Sequence, residues 1–182
     1  MKSRISKAAF PLLIVAVLLG LPIRSRGGTE MVLSVTGVTG DATNGLIAID
    51  SLQWGEGRTI SDPIPGPRVA SEPIFSEVTI SKVMDSSSPT LAMLAANGMG
   101  TNNCVLTIKN DATGEALYTL TLENVYISGY SVSSGGDVPS ESLSLNYTKI
   151  TWVYQPLDGA GNPLGKASPL MGWDLAKQAP IP

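Results

Sequence analysis

The chain has 182 residues, with 12 Lys and Arg against 15 Asp and Glu, a single Cys and no His. That length suits one domain able to bury a core of its own. The absence of histidine excludes Ser-His-Asp and Cys-His nucleophiles, the usual zinc sites and imidazole pH switching. The lone Cys104 excludes an internal disulfide. Charge is unevenly placed: Lys2, Arg4, Lys7, Arg24 and Arg26 lie in the first 27 positions, which hold no acid. The remainder carries seven basic and fifteen acidic side chains, net −8. Such a surface repels phosphate backbones, so nucleic acid is not an expected partner.

Residues 1–27 have the plan of a signal peptide: a basic start, then the apolar run Ala8 to Ile23. The run is shorter than the roughly 20 residues of a helical span and is interrupted by Pro11 and Pro22. Ser25-Arg26-Gly27 offers small residues for cleavage, and a retained N-terminal anchor is the alternative. No Cys stands near the run to carry a lipid. Residues 28–182 are then the folded domain.

Within it, strands dominate. Met31 to Val38 alternates Leu33 and Val35 against Ser34 and Thr36. A turn at Asp41 to Gly45 leads to Leu46–Trp54, Asn44-Gly45 being suited to positive φ. After a long loop, Ile74 to Lys82 alternates again. The segment from Asp85 to Gly98 reads as a helix, with Ser88 as N-cap, Pro89 at the first helical position and Asn97-Gly98 as the stop. Its apolar side is Leu91, Leu94 and Ala95. Cys104 to Asn110, Glu115 to Ser133 and Ser142 to Pro156 complete the strands, the last with a shift in face near Lys149. Many short strands and one short helix predict an all-β barrel or sandwich.

Two loops invite a functional reading. Gly55 to Pro73 holds four prolines and no apolar periodicity, and loops of that length are commonly functional. Asp158 to Ser168, DGAGNPLGKAS, approaches the phosphate-binding pattern G-x-x-x-x-G-K-[ST], but Ala160 replaces the first Gly and Ala167 the hydroxyl. It also lacks the carboxylate spacing of a calcium loop, so it reads as a turn. Asp137 and Glu141 could imitate a glycosidase pair, but they flank a Ser-rich stretch that reads as a solvated loop. Cys104 reads as a small buried apolar residue, and Trp54, Trp152 and Trp173 as packing residues. No nucleophile and base converge anywhere, so no catalytic, metal-binding or cofactor-binding residue is assigned.

Three stretches carry a family likeness by their order and spacing: KVMDSSSPTL from Lys82 to Leu91, ESLSLN from Glu141 to Asn146 leading to Tyr154-Gln155-Pro156, and GWDLAK from Gly172 to Lys177. Together the features from about Met31 to Lys177 resemble the haemolysin-coregulated protein (Hcp) family, the tube subunits of type VI secretion systems. The resemblance implies a two-sheet β-barrel with one short flanking helix, assembling as a homo-hexameric ring that can stack. A spike-type protein and effector cargo in the lumen are the implied partners, with no cofactor. The loop after Trp54 corresponds to the family's extended loop, which makes Glu56, Arg58, Asp62 and Arg68 candidates for a subunit interface. A solvated loop that touches nothing is the other reading of those residues. Family members usually start almost at the first strand, whereas thirty residues precede Met31 here. The expectation is therefore export, periplasmic or extracellular, or membrane anchoring if the segment is kept. A secreted binding module that keeps the barrel but has lost ring assembly is the competing expectation.

Overall fold

A computed structural model describes residues 28–62 and 66–181; the expected signal or anchor lies outside the described residues. The barrel strands are β1 (Thr29–Val35), β2 (Ile47–Ile49) and β3 (Ser51–Gln53). The projecting segment holds β4 (Glu56–Gly57), β5 (Ile60–Ser61), β6 (Val69–Ala70) and β7 (Ile74–Phe75). After β8 (Val78–Val83) comes the helix α1 (Ser88–Asn97). Then follow β9 (Thr101–Asn110), β10 (Ala116–Ser133), β11 (Ser140–Asn146), β12 (Lys149–Tyr154), β13 (Met171–Asp174) and β14 (Ala179–Ile181).

All pairings are antiparallel and run in a circuit. From β10 they pass through β11, β8 and β3, and through β9, β1 and β2 on the other side. Only Asp50 separates β2 from β3, and its N–H donates to the Ser81 carbonyl at 2.8 Å, so one kinked segment joins the two sheets. The expected two-sheet barrel is what forms. β10 serves both sheets. A register shift between Ile127 and Gly129 bends it, and a Cβ at Gly129 would lie 3.3 Å from the Ser144 side chain. β12, β13 and β14 extend one sheet beyond the circuit.

The period-2 pattern builds the core. Ile47, Leu33, Leu106 and Leu120 stand directly opposite one another on successive strands and are all fully buried. On the second sheet Leu52, Ile80, Leu143 and Tyr130 form the matching row. Each such aliphatic side chain contributes about 1.5–3 kcal/mol of transfer free energy. Leu91 seals the barrel from α1, with Leu94 and Ala95 packed beside it as the helical spacing predicts. The helix cap sits one residue earlier than expected. Ser87 is the N-cap and makes no side-chain capping bond, its hydroxyl donating instead to the Asp85 carboxylate, while the Ser88 hydroxyl faces inward and accepts the Asp85 N–H at 3.0 Å. Gly98 ends the helix at φ 62°, a left-handed conformation that glycine adopts without steric cost.

Candidate functional site

The long loop is not structureless. It folds as a two-stranded arm: Glu56 pairs with Phe75 and Gly57 with Ile74, then Ile60 pairs with Ala70 and Ser61 with Val69. The lack of apolar periodicity hid this, because an arm without a core against either face has no reason to alternate. Serines carry the joints. Ser76 Oγ accepts the Gly55 N–H and Ser71 Oγ the Thr59 N–H, each at 2.9 Å.

Aromatic rings fasten the arm to the barrel. Trp54 lies 5.6 Å from Trp152 between ring centroids, and Phe75 stacks on Trp173 at 6.2 Å. The three tryptophans therefore pack, as expected, but Trp152 and Trp173 also wall a hollow of about 370 Å³ with Glu56, Gly57, Arg58, Pro73 and Phe75. Nearby the Tyr147 hydroxyl donates to the Ser76 carbonyl at 2.9 Å. Burial, and then the Glu56 charge, pushes that phenol up to about 12.

The four charged candidates divide in two. Arg68 and Asp62 meet across the arm at 2.6 Å, with side chains 73% and 63% exposed. Among the described residues Glu56 and Arg58 form no ion pair, and both line the hollow at the root. Every Asp and Glu of the chain lies among the described residues. Of the seven cations beyond residue 27, Arg68, Lys82, Lys109, Lys149 and Lys177 each reach a carboxylate within 4.0 Å. Only Arg58 and Lys166 do not.

A charged cluster inside the barrel was not anticipated. Lys82 and Glu141 face each other on β8 and β11, both side chains fully buried, with Nζ to Oε2 at 2.9 Å. The ammonium also donates to Asp85 Oδ1 at 2.8 Å and Ser88 Oγ at 3.2 Å, which uses all three of its protons. The Tyr130 hydroxyl donates to Glu141 Oε1 at 2.6 Å. Burial alone would raise the Glu141 carboxyl. Hydrogen bonds from Tyr130, Lys82 and Ser88, with the charge of Lys82, outweigh it and hold the group below its ordinary value. Asp85 is lowered in the same way: its burial is outweighed by Lys82 and Ser87. Burial and the bond to Glu141 push the Tyr130 phenol up to about 12.

This corrects the reading of Glu141 as a solvated loop residue. Asp137 is exposed and caps the Val138 N–H at 2.8 Å, while Glu141 is 1% exposed inside the barrel, so the two share no cleft. The signal was in the alternation: Lys82 continues the inward row of Val78 and Ile80, and Glu141 begins that of Leu143 and Leu145. Cys104 is buried as expected, its thiol pushed up to about 12 by desolvation.

The loop from Asp158 to Ser168 is a turn. Its N–H groups at Ala160 and Asn162 already bond Asp158 Oδ1, at 2.8 and 3.0 Å, and so hold that carboxyl below its ordinary value. A phosphate would need those same donors. Gly161, at φ 86°, presses on Asn110 so closely that a Cβ would lie 2.7 Å from the amide. Among the described residues no helix is long and apolar enough to cross a membrane.

Comparison with known proteins agrees with this geometry. A family model described as "Type VI secretion system effector, Hcp" matches residues 32–154. No curated protein sequence matches. Among solved structures, one titled "Structure of a type six secretion system protein" superposes with a TM-score of 0.78 at 23% identity, covering 85% of this chain and 100% of that one. Hcp1 from Salmonella typhimurium gives 0.70 at 16% identity, covering 84% and 99%. A type VI secretion system effector from Yersinia pestis gives 0.60 at 15%, covering 79% and 98%. Barrel, flanking helix and matched segment together place the chain in the Hcp family of type VI secretion proteins.

Proposed function

We propose that the chain is a non-enzymatic subunit that assembles with copies of itself, head to tail, into a six-membered ring whose rings stack as a tube. The arm carries this reading. Ile60, Val69 and Ile74 on it are 47%, 57% and 73% exposed, and a ribbon of two strands is marginal unless something packs on it. A second copy is an economical partner, because a heterologous contact that closes on itself makes a ring. Family membership supports the same role, with a spike-type protein as cap and small effectors as lumen cargo. In this proposal the segment 1–27 directs export or anchors the chain. Light scattering of the purified protein, with electron micrographs of the same fraction, tests the reading. Annular particles near six subunit masses support it, and a monomer at every concentration ends it.

One observation favours a second reading, that of a secreted binding module without ring assembly. The hollow at the arm's root has aromatic walls, and the charged Glu56 and Arg58 are part of its lining. Such a hollow is built like a small-ligand site. On this reading Arg58→Glu abolishes ligand capture and leaves the oligomeric state unchanged; a shift in oligomeric state instead returns the residue to assembly.

A further inference from the structure

The arm and a second hollow lie at opposite ends of one strand. β8 leaves the arm at Val78 and reaches Val83 about 16 Å away, at ~3.3 Å per residue. At that far end Ala42, Ala48, Val83 and Met84 line a hollow of about 290 Å³ together with Asp41, Asp50 and Asp85. Val83 and Met84 are 44% and 39% exposed. Asp85 is committed to Lys82. Among the described residues Asp41 accepts only the Ser86 N–H, at 3.3 Å through Oδ2. Among the described residues the exposed Asp50 carboxylate has neither a hydrogen bond nor an ion pair.

This is the chemical complement of the arm. Arg58 reaches no Asp or Glu of its own chain within 4.0 Å, and on the same arm Ile60, two positions on, and Ile74, paired with the neighbouring Gly57, are exposed. An arginine stem lies well on an apolar floor, while its planar fork bridges carboxylate oxygens. Lys166, the other unpaired cation, offers a point charge on a loop pinned to the barrel through Gly161, whose carbonyl accepts the Thr113 hydroxyl at 2.8 Å. Arm and hollow occupy opposite ends, so one chain cannot close the contact. A second copy can, and the contact then repeats from copy to copy.

We propose that the Asp41–Asp50 hollow receives Arg58 from the arm of a second copy, its stem against Ala48, Val83 and Met84 and its guanidinium between the carboxylates of Asp41 and Asp50. The inference rests on the self-assembly reading and adds the residues that join one copy to the next.

Two experiments test it. Arg58→Glu and Asp50→Arg should each raise the concentration for half-assembly by ~10-fold or more, and the double variant should return it to within ~3-fold of the parent. Lys166→Glu should leave it unchanged. In the double variant Arg58→Cys with Asp50→Cys, air oxidation should yield dimers, trimers and longer species on a non-reducing gel. The buried Cys104 stays out of that reaction. Assembled protein that shows neither the cross-linked series nor the charge-swap rescue overturns this docking site and leaves self-assembly standing. Loss of assembly on Lys166→Glu also overturns it, by naming the other cation as anchor. A parent protein that is monomeric throughout overturns both readings.

Discussion

Two acid–base pairs in this molecule use the same chemistry in opposite surroundings. Lys82 and Glu141 meet at 2.9 Å inside the barrel with no solvent exposure, and Arg68 and Asp62 meet at 2.6 Å on the arm with most of each side chain in water. The shorter pair is the weaker one. Water solvates the arm's charges whether or not they touch, so the contact adds about 0–1 kcal/mol. The buried charges have lost their water and depend on each other, on Asp85 and on Tyr130. Distance alone does not rank ion pairs; what each group would face without its partner does.

Breaking the buried side gives the largest effect. Lys82→Met leaves Glu141 and Asp85 without a counter-charge and should cost about 3–5 kcal/mol, read as a lower midpoint in urea unfolding. Glu141→Gln should cost less than Lys82→Met, since Asp85 still neutralises the lysine. Equal losses from the two would mean that Asp85 shares little of the charge.

Acid should act on the same cluster. The carboxyls of Glu141 and Asp85 are lowered in the folded chain, so their contribution is complete above the unfolded values of about 4.3 and 3.9. It is lost as pH falls through the lowered values. A denaturation midpoint measured from pH 7 down to pH 2 should fall most steeply below about pH 4. In Glu141→Gln the acid dependence should be shallower.

Tyr130→Phe sharpens the contrast, removing one hydrogen bond to a charged group without removing a charge. It should cost about 1.5–3 kcal/mol. Arg68→Ala should change global stability by less than about 0.5 kcal/mol, and a larger loss would show that the arm is held by more than its two short ladders.

Much of this was legible beforehand. The strand runs from Met31 onward, the apolar side of α1, the shift near Lys149 and the burial of Cys104 follow from residue spacing. The break between β11 and β12 falls at Tyr147 and Thr148, beside the position expected. The arm was read as a loop because its pairings join residues 8 to 19 positions apart with no buried face between them. Pairing of that kind leaves no periodic trace. Lys82 and Glu141 did leave one, but a charged residue on an inward row reads as an exception until its partner is known. Those two are 59 positions apart, and only the β8–β11 register makes them neighbours.

The amino-acid sequence by itself determined the class of fold, because the alternation of apolar side chains dictates which faces turn inward, while the family likeness came from the order of the stretches at Lys82–Leu91, Glu141–Asn146 and Gly172–Lys177. It also determined the excess of acid and the absence of imidazole chemistry, which composition settles outright. Tertiary structure decided which charges lose their water and which stay unpaired. It set Arg58 at one end of β8 and Asp50 at the other. Burial and long-range register depend on every strand that closes the barrel, and no local stretch of chain encodes them alone.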